Sequence, residues 1–267
     1  MNDEAVPFDD RGLAYGDGLF ETVLVRDGQP LLWDEHMARL EEGCHRLGIA
    51  FPGHDRLACL PACSGPGLHV LKLIVTRGSG GRGYLPPTDA EPRLRWRSSP
   101  FSPRRAHWTD GVRVRLCELR LGHQPRLAGI KHLNRLENVL ARQEWSDPDI
   151  AEGLLSDSSG RLIEATCMNL FWQYGPRWET PSLARCGVEG TLRAGLLRQC
   201  SLHEVDRGSD VLLEADSLWL GNSIQGIWPI TSLVDSSGQL LRAWSTASLD
   251  RSLQAEAHAL LGYPLPA

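Results

Sequence analysis

The stretch Ser98-Ser-Pro-Phe-Ser-Pro-Arg-Arg105 constrains the fold more than any other part of this chain. Pro100 and Pro103 stand there among polar residues, between runs that read as strands, and proline cannot donate to a sheet ladder. A chain of 267 residues can be one large domain or two modest ones. The break predicts two: an N-terminal α/β domain over 1–99 and a C-terminal domain over 106–267, joined by a linker over 100–105.

In the first half, Phe20 to Val25 and Gln29 to Trp33 are β-prone and flank Asp27-Gly28, a hairpin signal. Asp34 then offers an N-cap. Met37, Leu40, Cys44 and Leu47 recur at helical spacing up to Gly48, which suits the left-handed conformation that ends helices. Val70 to Thr76 is an apolar, β-branched run that predicts a buried strand. It empties into Arg77-Gly-Ser-Gly-Gly-Arg-Gly-Tyr84, which by composition is a flexible, solvated loop. That loop lacks the Gly-Lys-Ser/Thr ending of a nucleotide cradle, and Pro86-Pro87 oppose a following helix. Its glycines would otherwise let Arg82 lie over a ligand.

In the second half, Val112 to Leu116 predicts a strand, and Leu133, Leu136 and Leu140 form a helical stripe beginning just after Lys131. Ser158-Ser-Gly160 separates two strand-like runs, the second carrying Glu164. Leu192, Leu196, Leu197 and Cys200 mark a helix from Thr191. Strands and helices are mixed in both halves, so the expected class is α/β or α+β.

A formal net charge of −5 opposes a sequence-independent grip on nucleic acid, which needs a basic footprint. No apolar run is long enough to span a bilayer, and the acidic start lacks a signal-peptide pattern, so a cytoplasmic protein is expected. Seven cysteines are scattered without a Cys-x-x-Cys pair, which predicts reduced thiols and no metal centre.

Taken singly, the polar residues read blandly. Lys131 is a surface lysine at a loop-to-helix junction, Glu164 a strand glutamate, Thr191 an N-cap, and Arg39 a solvated helix arginine. Tyr15 and Thr22 read as strand packing, and Tyr84 as a loop anchor.

Three segments in order change this reading: Gly129-Ile-Lys-His-Leu-Asn-Arg-Leu-Glu-Asn-Val-Leu140, Glu164-Ala-Thr-Cys-Met-Asn-Leu-Phe171 and Gly187-Val-Glu-Gly-Thr-Leu-Arg193. Together they resemble the signature of the fold-type IV pyridoxal-phosphate enzymes, which include branched-chain and D-amino-acid aminotransferases and the aminodeoxychorismate lyases. The segments Arg77–Tyr84 and Leu127–Glu137 are similar to the lyase branch. The resemblance runs from Arg11-Gly-Leu-Ala-Tyr-Gly-Asp-Gly18 to Gly221-Asn222 and is weakest over 50–68 and the C-terminal tail.

The resemblance implies a two-domain fold with a cofactor cleft between the domains, a homodimer, and pyridoxal 5'-phosphate as cofactor. It gives Lys131 the covalent hold on the cofactor's aldehyde, and Glu164 the contact with the ring nitrogen. Arg39, Thr191, Leu192 and Asn222 fall where the family binds the phosphate, although the aminotransferases usually carry Thr at the last position. Tyr15, Arg82 and Tyr84 match positions around the substrate, here 4-amino-4-deoxychorismate. Thr22 matches a hydroxyl that relays a proton toward the leaving group. An aminotransferase would use the same cofactor residues but needs a pocket for an α-carboxylate. A non-catalytic homologue would be expected to have lost Lys131 or Glu164, and both are present.

Overall fold

A computed structural model describes residues 5–265. The chain divides into two compact units, one running to Ser102 and taking in Ile130–Arg135, the other formed by Pro103–Gly129 and the chain from Leu136 onward. The inserted segment Ile130–Arg135 lies inside the range read from sequence as the second domain.

The first unit contains α1 (Arg11–Tyr15), β1 (Gly18–Arg26), β2 (Gln29–Pro30), α2 (Trp33–Leu47), α3 (His54–Ala58), β3 (Leu68–Thr76) and β4 (Arg93–Pro100). Its antiparallel sheet has the order β2-β1-β3-β4. Asp27 and Gly28, at φ of 50° and 78°, make the expected hairpin turn, and Arg26 pairs with Gln29 across it. The second strand of that hairpin is only two residues long, because the chain turns into α2 at Trp33. Helix α2 starts one residue before Asp34, which lies in its first turn. Leu32, in the left-handed conformation, is the N-cap and contributes no side-chain bond. Gly48 closes the helix at φ 63°, as expected.

The pairing of β1 with β3 and of β3 with β4 is continuous, so residues directly opposite share a face. The face carrying Leu19, Glu21 and Val23 packs under α2, where Met37, Leu40 and Cys44 are buried. Each fully buried aliphatic side chain there contributes about 1.5–3 kcal/mol.

The second unit contains α4 (Ala106–Thr109), β5 (Val112–Leu121), α5 (Leu136–Arg142), β6 (Ile150–Asp157), β7 (Leu162–Ala165), β8 (Asn169–Tyr174), β9 (Arg177–Pro181), α6 (Thr191–Gln199), β10 (Leu202–Val205), α7 (Val211–Glu214), β11 (Ser217–Asn222), β12 (Gly226–Val234), β13 (Leu240–Ala243) and α8 (Ser252–Leu260). Its nine-stranded mixed sheet has the order β10-β9-β8-β11-β12-β5-β6-β7, with β13 beside β12. Phe171, Trp172 and Trp219 lie fully buried in it. A second cluster gathers Leu121, Ala141, Trp145, Leu155, Ile163 and Val234.

Two expectations fail here. The helix after Lys131 begins only at Leu136, so Leu133 lies outside it, and Leu136 and Leu140 of the expected helical stripe are 75% and 54% exposed. The intervening backbone is committed to the edge of β1. The cap of α6 is Gly190 rather than Thr191, which is the first helical residue. Among the described residues no helix is long and apolar enough to cross a membrane, and all seven cysteines are free thiols.

Candidate active site

In the first unit, sheet register places Lys131. Its carbonyl accepts the Phe20 amide at 2.9 Å, the Leu133 amide donates to Gly18 O at 3.0 Å, and Leu19 bridges His132. Residues 131–133 therefore extend the sheet beyond β1, with Lys131 opposite Phe20. Arg135 holds the segment in this shape by donating to Ile130 O at 3.2 Å and His132 O at 3.0 Å. The Lys131 ammonium lies 4.6 Å from the centroid of the Phe20 ring, a cation–π contact that holds the amine over the open sheet face. Thr22 follows two residues along the same face.

On the opposite face, Arg39 donates from Nε to Glu21 Oε1 at 2.8 Å and from Nη2 to Oε2 at 2.5 Å. The His36 Nδ1 lies 2.6 Å from Oε2; an ionised carboxylate only accepts, so Nδ1 carries the proton. Burial alone would raise the Glu21 pKa, but the Arg39 charge and the His36 hydrogen bond prevail and hold it at about 2. His36 is pushed below its ordinary range by burial, partly offset by Glu21, so it is neutral near pH 7. Glu21 and His36 were not singled out from sequence. The available signals were one acid in an otherwise apolar strand and a histidine on the buried stripe of α2.

The glycine loop is anchored rather than loose. Arg11, only 3% exposed, donates to Gly83 O and Tyr84 O at 3.0 Å each and to Asp17 Oδ2 at 2.9 Å. Arg77 also grips Asp17, at 2.7 Å, and donates to the C-terminal carbonyls of α2 at Leu47 and Gly48. Burial works against ionisation of Asp17, but the two arginines hold its pKa below the usual range. Tyr15 and Tyr84 meet edge to face with ring centroids 5.5 Å apart, and the Arg11 guanidinium lies 5.0 Å from the Tyr15 ring. Arg82 and Tyr84 are exposed.

In the second unit, Glu164 is buried on β7 and its Oε2 accepts the Val188 amide at 2.9 Å. The loop from Gly187 to Gly190 is further held by Asn169 Nδ2 on Val188 O and by Gly129, which exchanges backbone bonds with Gly187 and Glu189. This loop delivers the chain into α6, so a buried carboxylate and a helix N-terminus are brought together. Thr191 and Leu192 are buried there, and Gly190 supplies no side-chain cap.

Asn222 ends β11. Its Oδ1 accepts the Ile224 and Gln225 amides at 3.0 and 2.7 Å, and its Nδ2 donates to Cys167 O at 3.2 Å. Both ends of the side chain shape the two loops it joins. Glu152 supports the same connection, taking Thr166 N and Oγ1 at 3.0 and 2.5 Å; burial pushes its pKa up against these bonds. Among the described residues no group of three His, Cys, Asp or Glu is placed to hold a metal.

These residues fit pyridoxal phosphate. A nine-residue helix with an uncapped start suits a phosphate dianion, a buried carboxylate suits a ring nitrogen, and a lysine poised over an open sheet face suits an aldehyde.

The chain belongs to the class IV amino-transferase family, whose sequence model matches residues 18–233. Within that family the chain is 34% identical over 236 residues to the aminodeoxychorismate lyase of Vibrio harveyi, covering 85% of this chain and 87% of the relative. It is 44% identical to the crystal structure of 4-amino-4-deoxychorismate lyase from Pseudomonas aeruginosa, with a TM-score of 0.88 over 97% of this chain and 96% of that one. A pyridoxal-phosphate-bound hypothetical aminotransferase from Mycobacterium tuberculosis shares the fold, at 20% identity and a TM-score of 0.79 over 97% of this chain and 94% of that one.

Proposed function

We propose that this chain is a pyridoxal-phosphate-dependent lyase that converts 4-amino-4-deoxychorismate to 4-aminobenzoate and pyruvate, a step of folate biosynthesis. The observation that carries the reading is the 44% identity to a lyase of that name over 97% of the chain. The retained lysine, acid and helix start support it.

Pyridoxal phosphate, when bound, supplies an aldehyde that captures the substrate amine and a ring that draws electron density from the adjacent carbon. Lys131 holds the aldehyde between turnovers. Its Nζ, when free, would take the proton from the amine-bearing carbon of the substrate. Glu164 keeps the ring nitrogen protonated. The Thr191 and Leu192 amides, with Arg39, hold the phosphate, and Asn222 shapes the loop beside it. Breaking the carbon–oxygen bond to the enolpyruvyl arm aromatises the ring, and Thr22 relays a proton toward the departing oxygen. Tyr15, Arg82 and Tyr84 surround the substrate.

A cytoplasmic homodimer is the working unit in this reading. Its support is the set of apolar side chains the first unit leaves exposed, Phe8, Leu13, Tyr15, Tyr84 and Leu85. The deciding assay incubates purified protein with aminodeoxychorismate and no added keto acid. Equal amounts of 4-aminobenzoate and pyruvate are expected. Efficient transamination of D-alanine or branched-chain amino acids, with aminodeoxychorismate untouched, would replace the lyase by an aminotransferase.

A further inference from the structure

In the second unit, β11 and β12 pair from Trp219 opposite Pro229 down to Asn222 opposite Gly226. Ser223, Ile224 and Gln225 are therefore a three-residue hairpin loop, closed by Gly226 at φ 74°, a conformation such loops need at that position. Asn222 Oδ1 accepts the amides of Ile224 and Gln225. The carbonyls of the same two residues are taken by side chains from the two ends of the unit. The Tyr263 hydroxyl, beyond α8, donates to Ile224 O at 2.6 Å, and the Trp108 indole Nε1, in α4, donates to Gln225 O at 2.6 Å.

One peptide unit carries the argument. Ile224 O and the Gln225 amide belong to the same trans peptide, so they point in opposite directions. Asn222 grips that plane at its N–H and Tyr263 grips it at its C=O. With both ends held the plane cannot turn over, and the Asn222 side chain, whose Nδ2 donates to Cys167 O, keeps its place. The gripping side chains are themselves fixed. Trp108 and Tyr263 are buried with ring centroids 4.8 Å apart, and the His258 ring stands 4.7 Å from Trp108. The Tyr263 amide donates to His258 O at 2.9 Å, and Gln254 Nε2 donates to both Trp108 O and Ile227 O. A Cβ on Gly226 would lie 2.8 Å from His258 Nε2, so α8 presses directly on the loop. Ser223 is 9% exposed, and among the described residues neither its amide nor its hydroxyl has a hydrogen-bond partner.

We infer that Tyr263, steadied by Trp108, is a positioning residue for the cofactor's phosphate, holding the Ile224–Gln225 peptide so that the loop offers its remaining donors in one fixed arrangement. The inference rests on the reading that the loop after Asn222 lies beside the phosphate, and it adds a residue that lies outside the 18–233 span of the family match. A phosphate monoester dianion is held well by donors that are already in place, because ordering a loop on binding costs affinity. The loop's own bonds consume the Ile224 and Gln225 amides, which leaves the nearly buried Ser223 amide and hydroxyl for an anion. Tyr263 touches no ligand in this arrangement. It acts through the backbone, and the C-terminal tail becomes part of the cofactor site.

The test compares pyridoxal phosphate with pyridoxal, which lacks the phosphate, by fluorescence titration of the full chain. Tyr263→Phe keeps the ring and its packing and removes only the hydroxyl. It is expected to raise Kd for pyridoxal phosphate about three- to tenfold while Kd for pyridoxal stays within about twofold. Trp108→Phe should act in the same direction. The coupling must also run the other way in the parent protein: pyridoxal phosphate should slow hydrogen exchange across residues 255–265 more than saturating pyridoxal does. Equal losses for both ligands in Tyr263→Phe, or no loss for either, overturn the inference. So does tail exchange in the parent that is the same with both ligands. Asn222→Ala separates this from the reading beneath it. If Asn222→Ala leaves pyridoxal phosphate affinity unchanged, the loop is not beside the phosphate and both fail; if it weakens that affinity and Tyr263→Phe does not, the inference alone fails.

Discussion

Arg39 holds both carboxylate oxygens of Glu21, at 2.8 and 2.5 Å, with the acid 1% exposed under α2. The pair fixes the direction of a guanidinium that would otherwise be a long, rotamer-rich side chain. Such a buried ionic pair cannot lose one member cheaply. It also makes stability depend on pH in a defined direction. Glu21 has a folded pKa of about 2 against 4.5 ordinarily, so its contribution is fully present above pH 4.5 and is lost as pH falls toward 2. The shift corresponds to a contribution on the order of 3 kcal/mol at neutral pH. Urea unfolding of the parent and of Glu21→Gln should differ most near pH 6 and converge as pH falls below 4. A gap that stays constant with pH would mean that Glu21 is not the titrating group.

Arg39→Ala should weaken cofactor binding by about 1.5–3 kcal/mol if a charge-assisted bond to phosphate is lost. Binding of pyridoxal, which lacks the phosphate, serves as the control. Fluorescence titration should show that the loss is confined to the phosphorylated form. Equal losses for both would make Arg39 a structural partner of Glu21 only.

Lys131→Ala should abolish covalent capture of the cofactor. After borohydride treatment the parent should gain the mass of one reduced cofactor per chain, and the variant none, with turnover nearly eliminated. A variant that retains near-normal turnover refutes the assignment.

Glu164→Gln should still fold and bind cofactor, since an amide can keep the bond from Val188 N, yet turn over slowly because it cannot stabilise a protonated ring nitrogen. Rate at saturating substrate is the measurement, and an unchanged kcat would return Glu164 to an ordinary strand residue.

Arg82→Ala should raise KM for aminodeoxychorismate more than it lowers kcat, as loss of uniform binding does. Arg11→Ala should act differently. Without its bonds to Gly83 O and Tyr84 O the loop loses its anchor, so hydrogen exchange across residues 78–84 should quicken. Exchange unchanged from the parent would show that other contacts hold the loop.

What the sequence determined by itself is local. The Asp27-Gly28 turn, the Gly48 stop of α2, the strand ending at Thr76, the break at Ser158-Ser-Gly160 and the start of α6 each depend on residues a few positions apart, whose backbone preferences are set before any long-range contact forms. The ordered motifs around Lys131, Glu164 and Gly187 carried the family in the same way, since chemistry at a cofactor requires particular residue types. The tertiary structure alone decided where those residues stand. Lys131 faces the ring of Phe20 because residues 131–133 pair with Gly18 and Phe20. That pairing overrode the apolar stripe that predicted a helix there. Glu21 gained its partners only when α2 packed on β1, and the glycine loop gained its anchor only when Arg11 reached its carbonyls. In each case the deciding contact joins segments far apart in the chain. Its strength depends on burial and geometry that no short window of residues contains.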